Sequence, residues 1–155
     1  QHHRHRTWSY NEISRRYTDI NIEFYEPQSF RTQHKSNRQA SNENDPINPE
    51  LSNEICQKLV CTSAAEAVKN HHKLSLKLFD DLLEKGVCRE QARGVLPQNL
   101  YTTYYASANL SNIMKFIALR DKPDAQWEIQ VLARAMMEFT QREFHYAAEA
   151  MKDHL

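Results

Sequence analysis

The chain contains no run of about eighteen apolar residues, and its mean hydropathy is −0.79, so a membrane-spanning helix is excluded as its organising element. Its start lacks the apolar core of a secretory signal, which makes an intracellular, cytoplasmic location the expected one. It has no C-x-x-C pair. Three cysteines, Cys56, Cys61 and Cys88, are an odd number suited to a reducing compartment; they are expected to be free thiols without a chemical role, in neither a disulfide framework nor a zinc site. Net charge is absent too: twenty basic side chains cancel twenty acidic ones, so the whole chain has no bias toward nucleic acid or anionic lipid. No tandem repeat is visible. The first residue is Gln1 rather than Met, so a processed, trimmed or partial chain is expected.

What is present suffices for a single domain over residues 1–155, with 40% hydrophobic residues to form a core. Charge is unevenly placed. Residues 1–38 carry Arg4, Arg6, Arg15, Arg16, Arg31, Lys35 and Arg38 against Glu12, Asp19, Glu23 and Glu26, with four histidines beside them. The opening seventeen residues hold cations, hydroxyls, an amide and a carboxylate with almost no aliphatic content. Burial in a core does not account for that stretch, and a binding site for an anion does.

Residues 18–26 alternate apolar and polar, with Ile20, Ile22 and Phe24 on one side, the period of a half-buried strand that Pro27 stops. Residues 27–50 are polar and carry Pro27, Pro46 and Pro49, which reads as a long loop, either a solvated linker or a lid over an anion through Arg31, Lys35 and Arg38. From Leu51 to Glu84 the apolar positions follow helical spacing, with a break expected near Asn70 and Gly86 just beyond the end. His71 and His72, adjacent on that helix, point about 100° apart and are read as surface residues. A short helix over Cys88–Val95 ends before Pro97, and Leu100–Ser107 reads as a second strand. Asn109–Leu119 presents one apolar helical face finishing at Arg120, and a last helix runs from about Ala125 to near the end. The class is therefore α/β of the α+β type, long helices packed on a small sheet.

Arginine guanidinium groups are planar forks that bind phosphate bidentately and stack on flat heterocycles. Arg4, Arg6 and Arg16, with the hydroxyls of Ser9 and Ser14, make a phosphate site with room for rings. Glu12 and Asn11 add an acceptor and an amide suited to ring or sugar edges, which favours a nucleotide over inorganic phosphate. Arg93 and Arg120 stand out only by context, since an isolated Arg is most often a solvated surface residue.

At Arg4-His5-Arg6-x-x-Ser9-x-Asn11-Glu12-x-Ser14-x-Arg16-Tyr17 the chain resembles the flavin-dependent thymidylate synthases, matching every fixed position of their signature. The resemblance continues through Gln91–Pro97, Asn109–Arg120 and Ala125–Gln130 and covers most of the chain outside the polar loop. It implies part of that family's fold, about the C-terminal two-thirds, with the strands of the N-terminal region missing. The implied reaction is reductive methylation of deoxyuridylate (dUMP) to thymidylate (dTMP). Methylenetetrahydrofolate would give the carbon, and FAD recharged by NADPH the hydride, in a homotetramer with shared sites. By the same resemblance Arg4, His5, Arg6, Glu12, Asn109, Ser111 and Lys115 would hold the flavin, Ser111 and Lys115 at positions where relatives often carry Arg and Asn or His. Gln1, Arg4, Glu12, Ser14, Arg15 and Arg16 would line the dUMP site, with Arg93 reaching its phosphate from a neighbouring subunit. Arg120 would be the catalytic residue, a fixed cation beside the ring carbonyl that stabilises developing negative charge. No metal and no side-chain nucleophile is implied.

The alternative from residues alone is a nucleotide- or nucleic-acid-binding fragment without catalytic activity. Zero net charge and Glu12 inside the cationic cluster count against nucleic acid. A metal site in His2, His3 and His5 is disfavoured by the interleaved arginines.

Overall fold

The computed structural model of the chain describes residues 1–14, 22–27, 29–38 and 40–152. In chain order these form β1 (Ser9–Glu12), β2 (Phe30–Gln33), β3 (Ser41–Ile47), α1 (Asn53–Leu59), α2 (Ala64–Glu84), α3 (Arg89–Ala92), β4 (Tyr104–Ser107), α4 (Leu110–Arg120), α5 (Trp127–Glu143) and α6 (His145–Lys152). The α+β class holds, with the strands arranged in two two-stranded sheets, β1 with β4 and β2 with β3. Among the described residues no helix is long and apolar enough to cross a membrane. The chain divides into two compact units.

The first unit comprises Gln1–Asn11, Arg31–Asp45 and the described residues from Tyr105 onward. α4 forms because Leu110, Ile113, Met114 and Ile117 fall at helical spacing behind an N-cap, Asn109, whose side chain accepts from Asn112 N. It stops at Arg120. Phe116 and Ala133 are wholly buried where α4 meets α5, with Met114 and Ile117 beside them. Burying one such side chain contributes about 1.5–3 kcal/mol.

The opening stretch, expected to stay out of any core, belongs to this one. Trp8 and His2 are buried, and His2 lies edge-on to Trp8 at 4.6 Å and to Phe116 at 4.9 Å. Rings supply the apolar surface that the missing aliphatics would have given. The last helix also differs from expectation, because α5 ends at Phe144, whose φ is −133°, and α6 starts anew at His145. The apolar period runs on through that break, since Ala148 of α6 is buried as well.

The polar stretch 27–50, read as a loop, contains the β2–β3 hairpin. Side chains hold it together: Thr32 Oγ1 donates to Asp45 at 2.6 Å and Asn42 Nδ2 to Thr32 at 2.9 Å. Arg31 anchors its base, donating from Nε to Ser41 Oγ at 2.8 Å and from Nη2 to Glu128 at 2.6 Å. Its guanidinium also lies 5.1 Å from the Trp127 ring centroid.

The second unit comprises the described residues of Glu12–Phe30 and of Pro46–Tyr104. The helix expected from Leu51 to Glu84 breaks ten residues before Asn70. Val60 takes a left-handed conformation, φ 50°, that ends α1, and Ser63 caps α2. Ser63-Ala64-Ala65-Glu66 is a capping box, S-x-x-E: Ser63 Oγ accepts from Glu66 N, and the Glu66 carboxylate accepts from Thr62 N at 2.8 Å and Thr62 Oγ1 at 2.9 Å. Those bonds hold the Glu66 carboxyl below its usual range. At the other end Gly86, φ 86°, follows the last turn of α2 as expected.

His72, read as a surface residue, is buried. Its Nδ1 is 3.0 Å from Glu26 Oε1, its Nε2 is 2.8 Å from Asn99 Nδ2, and its ring stacks on Phe24 at 4.6 Å. Asn99 also donates to Tyr25 O at 2.8 Å. The reason is pairing: a buried imidazole is tolerated when both nitrogens have partners. Of the strand expected over 18–26, residues 18–21 lie outside the described residues and Phe24 contributes a single bridge to Leu100. β4 pairs with β1.

Candidate functional site

In the first unit, a 3-10 turn over His2–Arg4 turns His2 inward and leaves Arg4 exposed, as Arg6 is two residues on. The Tyr10 hydroxyl fixes this turn, its one proton shared between His2 O at 2.8 Å and His5 O at 3.2 Å. His5 is half-buried against the Phe116 edge, ring centroids 4.9 Å apart. Arg120, at the end of α4, donates from Nε to His5 Nε2 at 3.1 Å. A guanidinium can only donate, so His5 must accept at Nε2 and carry its proton on Nδ1. Burial, and then the Arg120 charge, lower the His5 pKa, in the direction that favours the neutral ring. Two residues separated by more than a hundred positions are thus joined directly.

The start of α4 is tied to the same stretch, since Asn112 Nδ2 approaches Thr7 O at 3.5 Å while Asn109 caps the helix. Ser111 and Lys115 lie one turn apart on α4 and line a cavity of about 530 Å³ whose other walls are Leu110, Met114, Ala118 and, from α6, Ala147 and Ala150. The α6 alanines were not among the expected residues. Small residues on a helix give no local signal of lining a cavity.

In the second unit, Glu12, Ser14 and Arg93 line one cleft of about 440 Å³, together with Pro97, Gln98, Leu100 and Thr102. Glu12 is held by Thr102, whose hydroxyl donates to Oε1 at 2.8 Å, and the backbone N of Ile13 donates to Thr103 O at 3.0 Å. Burial, and then the Glu12 charge, raise the Tyr104 pKa. Arg93 follows α3, anchored by the wholly buried Ala92, and its Nε donates to Glu90 O at 3.4 Å. An acceptor, a hydroxyl and a guanidinium converge on a cavity of ligand size. The residues expected at a dUMP site thus meet in part. Glu12, Ser14 and Arg93 share the cleft within one chain, Gln1 and Arg4 belong to the first unit, and Arg15 and Arg16 lie outside the described residues. Gln98 and Thr102 were missed, being polar residues with no local signal.

Among the described residues no three His, Cys, Asp or Glu side chains gather as a metal site.

Residues 1–144 match the family model described as thymidylate synthase complementing protein. The chain is similar to a flavin-dependent thymidylate synthase of Thermus thermophilus, 41% identical over 152 residues, which span 98% of this chain and 51% of that protein. One from Thermosipho africanus is 38% identical over 130 residues, 84% of this chain and 52% of the relative. The chain therefore spans about half the length of the curated relatives it matches. Among solved structures it is similar to the UMP/dUMP methylase PolB of Streptomyces cacaoi bound with 5-Br UMP. The TM-score is 0.76 and the identity 28%, covering 98% of this chain and 66% of that one. The signature at Arg4–Tyr17, the extent of the family match and the likeness to these relatives together make the chain a member of the flavin-dependent thymidylate synthase family.

Proposed function

We propose that this chain belongs to an enzyme that methylates dUMP to dTMP. Methylenetetrahydrofolate is the carbon donor, FAD recharged by NADPH the reductant, and the working form a homotetramer. The observation that carries the reading is the 440 Å³ cleft, where Glu12, Ser14 and Arg93, eighty residues apart in the chain, face one volume. The PolB structures, solved with 5-Br UMP and with 5-Br dUMP, support a uridylate as the occupant.

Arg93 supplies a fork for the phosphate, and Ser14 a hydroxyl donor beside it. Glu12 is an acceptor aligned by Thr102, suited to a ring or sugar N–H or O–H. In the first unit, Arg4 and Arg6 are exposed and make no ion pair among the described residues, which fits an anionic cofactor carrying a flat ring system. A flavin, when bound, supplies the hydride. Arg120 keeps its charge fixed in place through His5, so it can stabilise negative charge that develops on a ring carbonyl without reorganising. Cys56, Cys61 and Cys88 lie outside the residues that line this cleft and are given no part in the chemistry. Exposed Tyr105, Phe139, Phe144 and Tyr146 provide apolar surface for other copies to cover.

The test is dUMP binding and turnover by the whole enzyme containing this chain. Arg93→Ala is expected to weaken dUMP binding by about ten- to a hundredfold, as loss of a charged hydrogen bond does. Arg120→Ala is expected to leave dUMP binding intact while turnover falls about 10²–10³-fold. A colourless protein that ignores dUMP overturns the reading.

A further inference from the structure

α1 ends in a Schellman motif, the turn in which the second residue past the helix bonds back to the third residue before its cap. Val60 takes the left-handed position, and the Cys61 N–H donates to Cys56 O at 3.1 Å. In such turns the side chains of those two residues touch, and the contact is ordinarily between two hydrophobes. Here both are cysteines, with Sγ atoms 3.3 Å apart and Cys61 donating its S–H to Cys56.

Three further observations bear on the pair. The turn is held from outside, since Asn70 Nδ2 donates to Leu59 O at 2.9 Å and to Val60 O at 3.1 Å. A β-branched residue in the left-handed region costs about 1–2 kcal/mol, and Val60, 84% exposed, gains no burial in return. Strain of this kind persists where the surroundings impose it and gathers at functional turns. Lastly, the two cysteines border a cavity of about 490 Å³, with Gln57, Thr62 and Glu66 on its rim, that opens to solvent and admits a small molecule.

We propose that Cys56 and Cys61 are a dithiol site that closes reversibly to a disulfide across the turn that ends α1, with a low-molecular-weight disulfide of the glutathione type as oxidant. The Cys56 thiolate attacks one sulfur of the oxidant, forming a mixed disulfide and releasing one thiol. The Cys61 thiolate then attacks Cys56 Sγ, forming the internal bond and releasing the second thiol. Two electrons and two protons pass from the protein to the oxidant. Cys61 Sγ donates to Cys56 Sγ, and Cys56 Sγ donates in turn toward Leu51 O at 3.9 Å. Burial, and then the bond to Cys56, push the Cys61 thiol up to about 11, which suits the thiol that acts second. Closure would tie the last turn of α1 to the residue that follows its left-handed cap.

The site is independent of the methylation reading, and its test does not read turnover. The whole chain in a Cys88→Ser background, which removes the exposed third thiol, is incubated with excess glutathione disulfide. It is then alkylated, weighed intact and mapped by peptide. The expected result is loss of both alkylation sites, a mass lower by about 2 Da, a Cys56–Cys61 cross-linked peptide, and full recovery of labelling with reduced glutathione. A further Cys61→Ser change is expected to stop the reaction at a glutathione adduct on Cys56. A stable adduct in the protein that keeps both thiols, or two thiols that still alkylate after oxidation, overturns the proposal. Should the Cys61→Ser protein not fold, the peptide map of the chain with both thiols decides alone.

Discussion

In the unit built on α4 and α5 the interior is ring against ring and aliphatic against ring: His2, Trp8 and Phe116 pack edge-on over Met114 and Ile117. In the unit built on α2 a buried side chain, His72, is held between a carboxylate and an amide, and its ring stacks on Phe24. Apolar packing is common to both, since Phe79, Ala67 and Ala92 are buried in the second unit, but there directed bonds also join distant segments, 23–26, 72 and 99–101. The first arrangement leaves Arg4 and Arg6 exposed, with no ion pair among the described residues, and Arg120 held by its bond to His5. The second suits a cleft wall, because Asn99 sits between Gln98 and Leu100, which line the cleft with Glu12 and Arg93.

The comparison breaks most readily at Phe116. Phe116→Ala should cost about 3–5 kcal/mol, read by urea denaturation, and a loss below about 1 kcal/mol would remove shape as the basis of the first unit. Next is His72→Phe, which keeps a ring for Phe24 but leaves Glu26 and Asn99 without their shared partner. A loss of about 1–3 kcal/mol is expected, and a neutral result would mean that stacking, and not the hydrogen bonds, holds the second unit.

The pH dependence sharpens the contrast. Burial, followed by the charges of His5 and His3, lowers the His2 pKa from 6.5 to about 4. Between those values the unfolded chain binds the proton that folded His2 refuses, so its contribution is complete above about 6.5 and disappears as pH falls toward 4. The shift of His5 has the same direction. Thermal stability should therefore drop on acidification across this window, and His2→Phe should flatten the drop. Smallest is Val60→Gly, which relieves the left-handed strain and should raise stability by about 1 kcal/mol, measured by thermal denaturation.

Helices were readable wherever an apolar face repeated: α4 starts and ends where Asn109 and Arg120 mark it, and Gly86 closes α2. The breaks at Val60 and Phe144 were not, because apolar spacing continues through both and neither residue is a usual helix stop. The capping box at Ser63–Glu66 was the available signal for the first of them. The β2–β3 hairpin escaped because its strands pair through the backbone, with polar side chains across them, and carry no alternating apolar face. His72 escaped because its partners, Glu26 and Asn99, lie 46 and 27 residues away. For the site, residue chemistry alone pointed to an anionic nucleotide at the opening stretch. The company of Glu12, Ser14 and Arg93 was an expectation only through family resemblance, since the local sequence around Arg93 gives it no distinction.

The hairpin is secured at its root. One guanidinium engages Ser41 and Glu128 through its N–H groups and Trp127 through its plane, and lysine, a compact point charge without a planar face, would not reproduce the combination. Its far end, near the exposed Lys35, takes no part in that anchorage. A fluorophore coupled at Lys35 would sit at that far end, and the change in its anisotropy on Arg31→Lys would read the grip of Arg31 from outside the molecule.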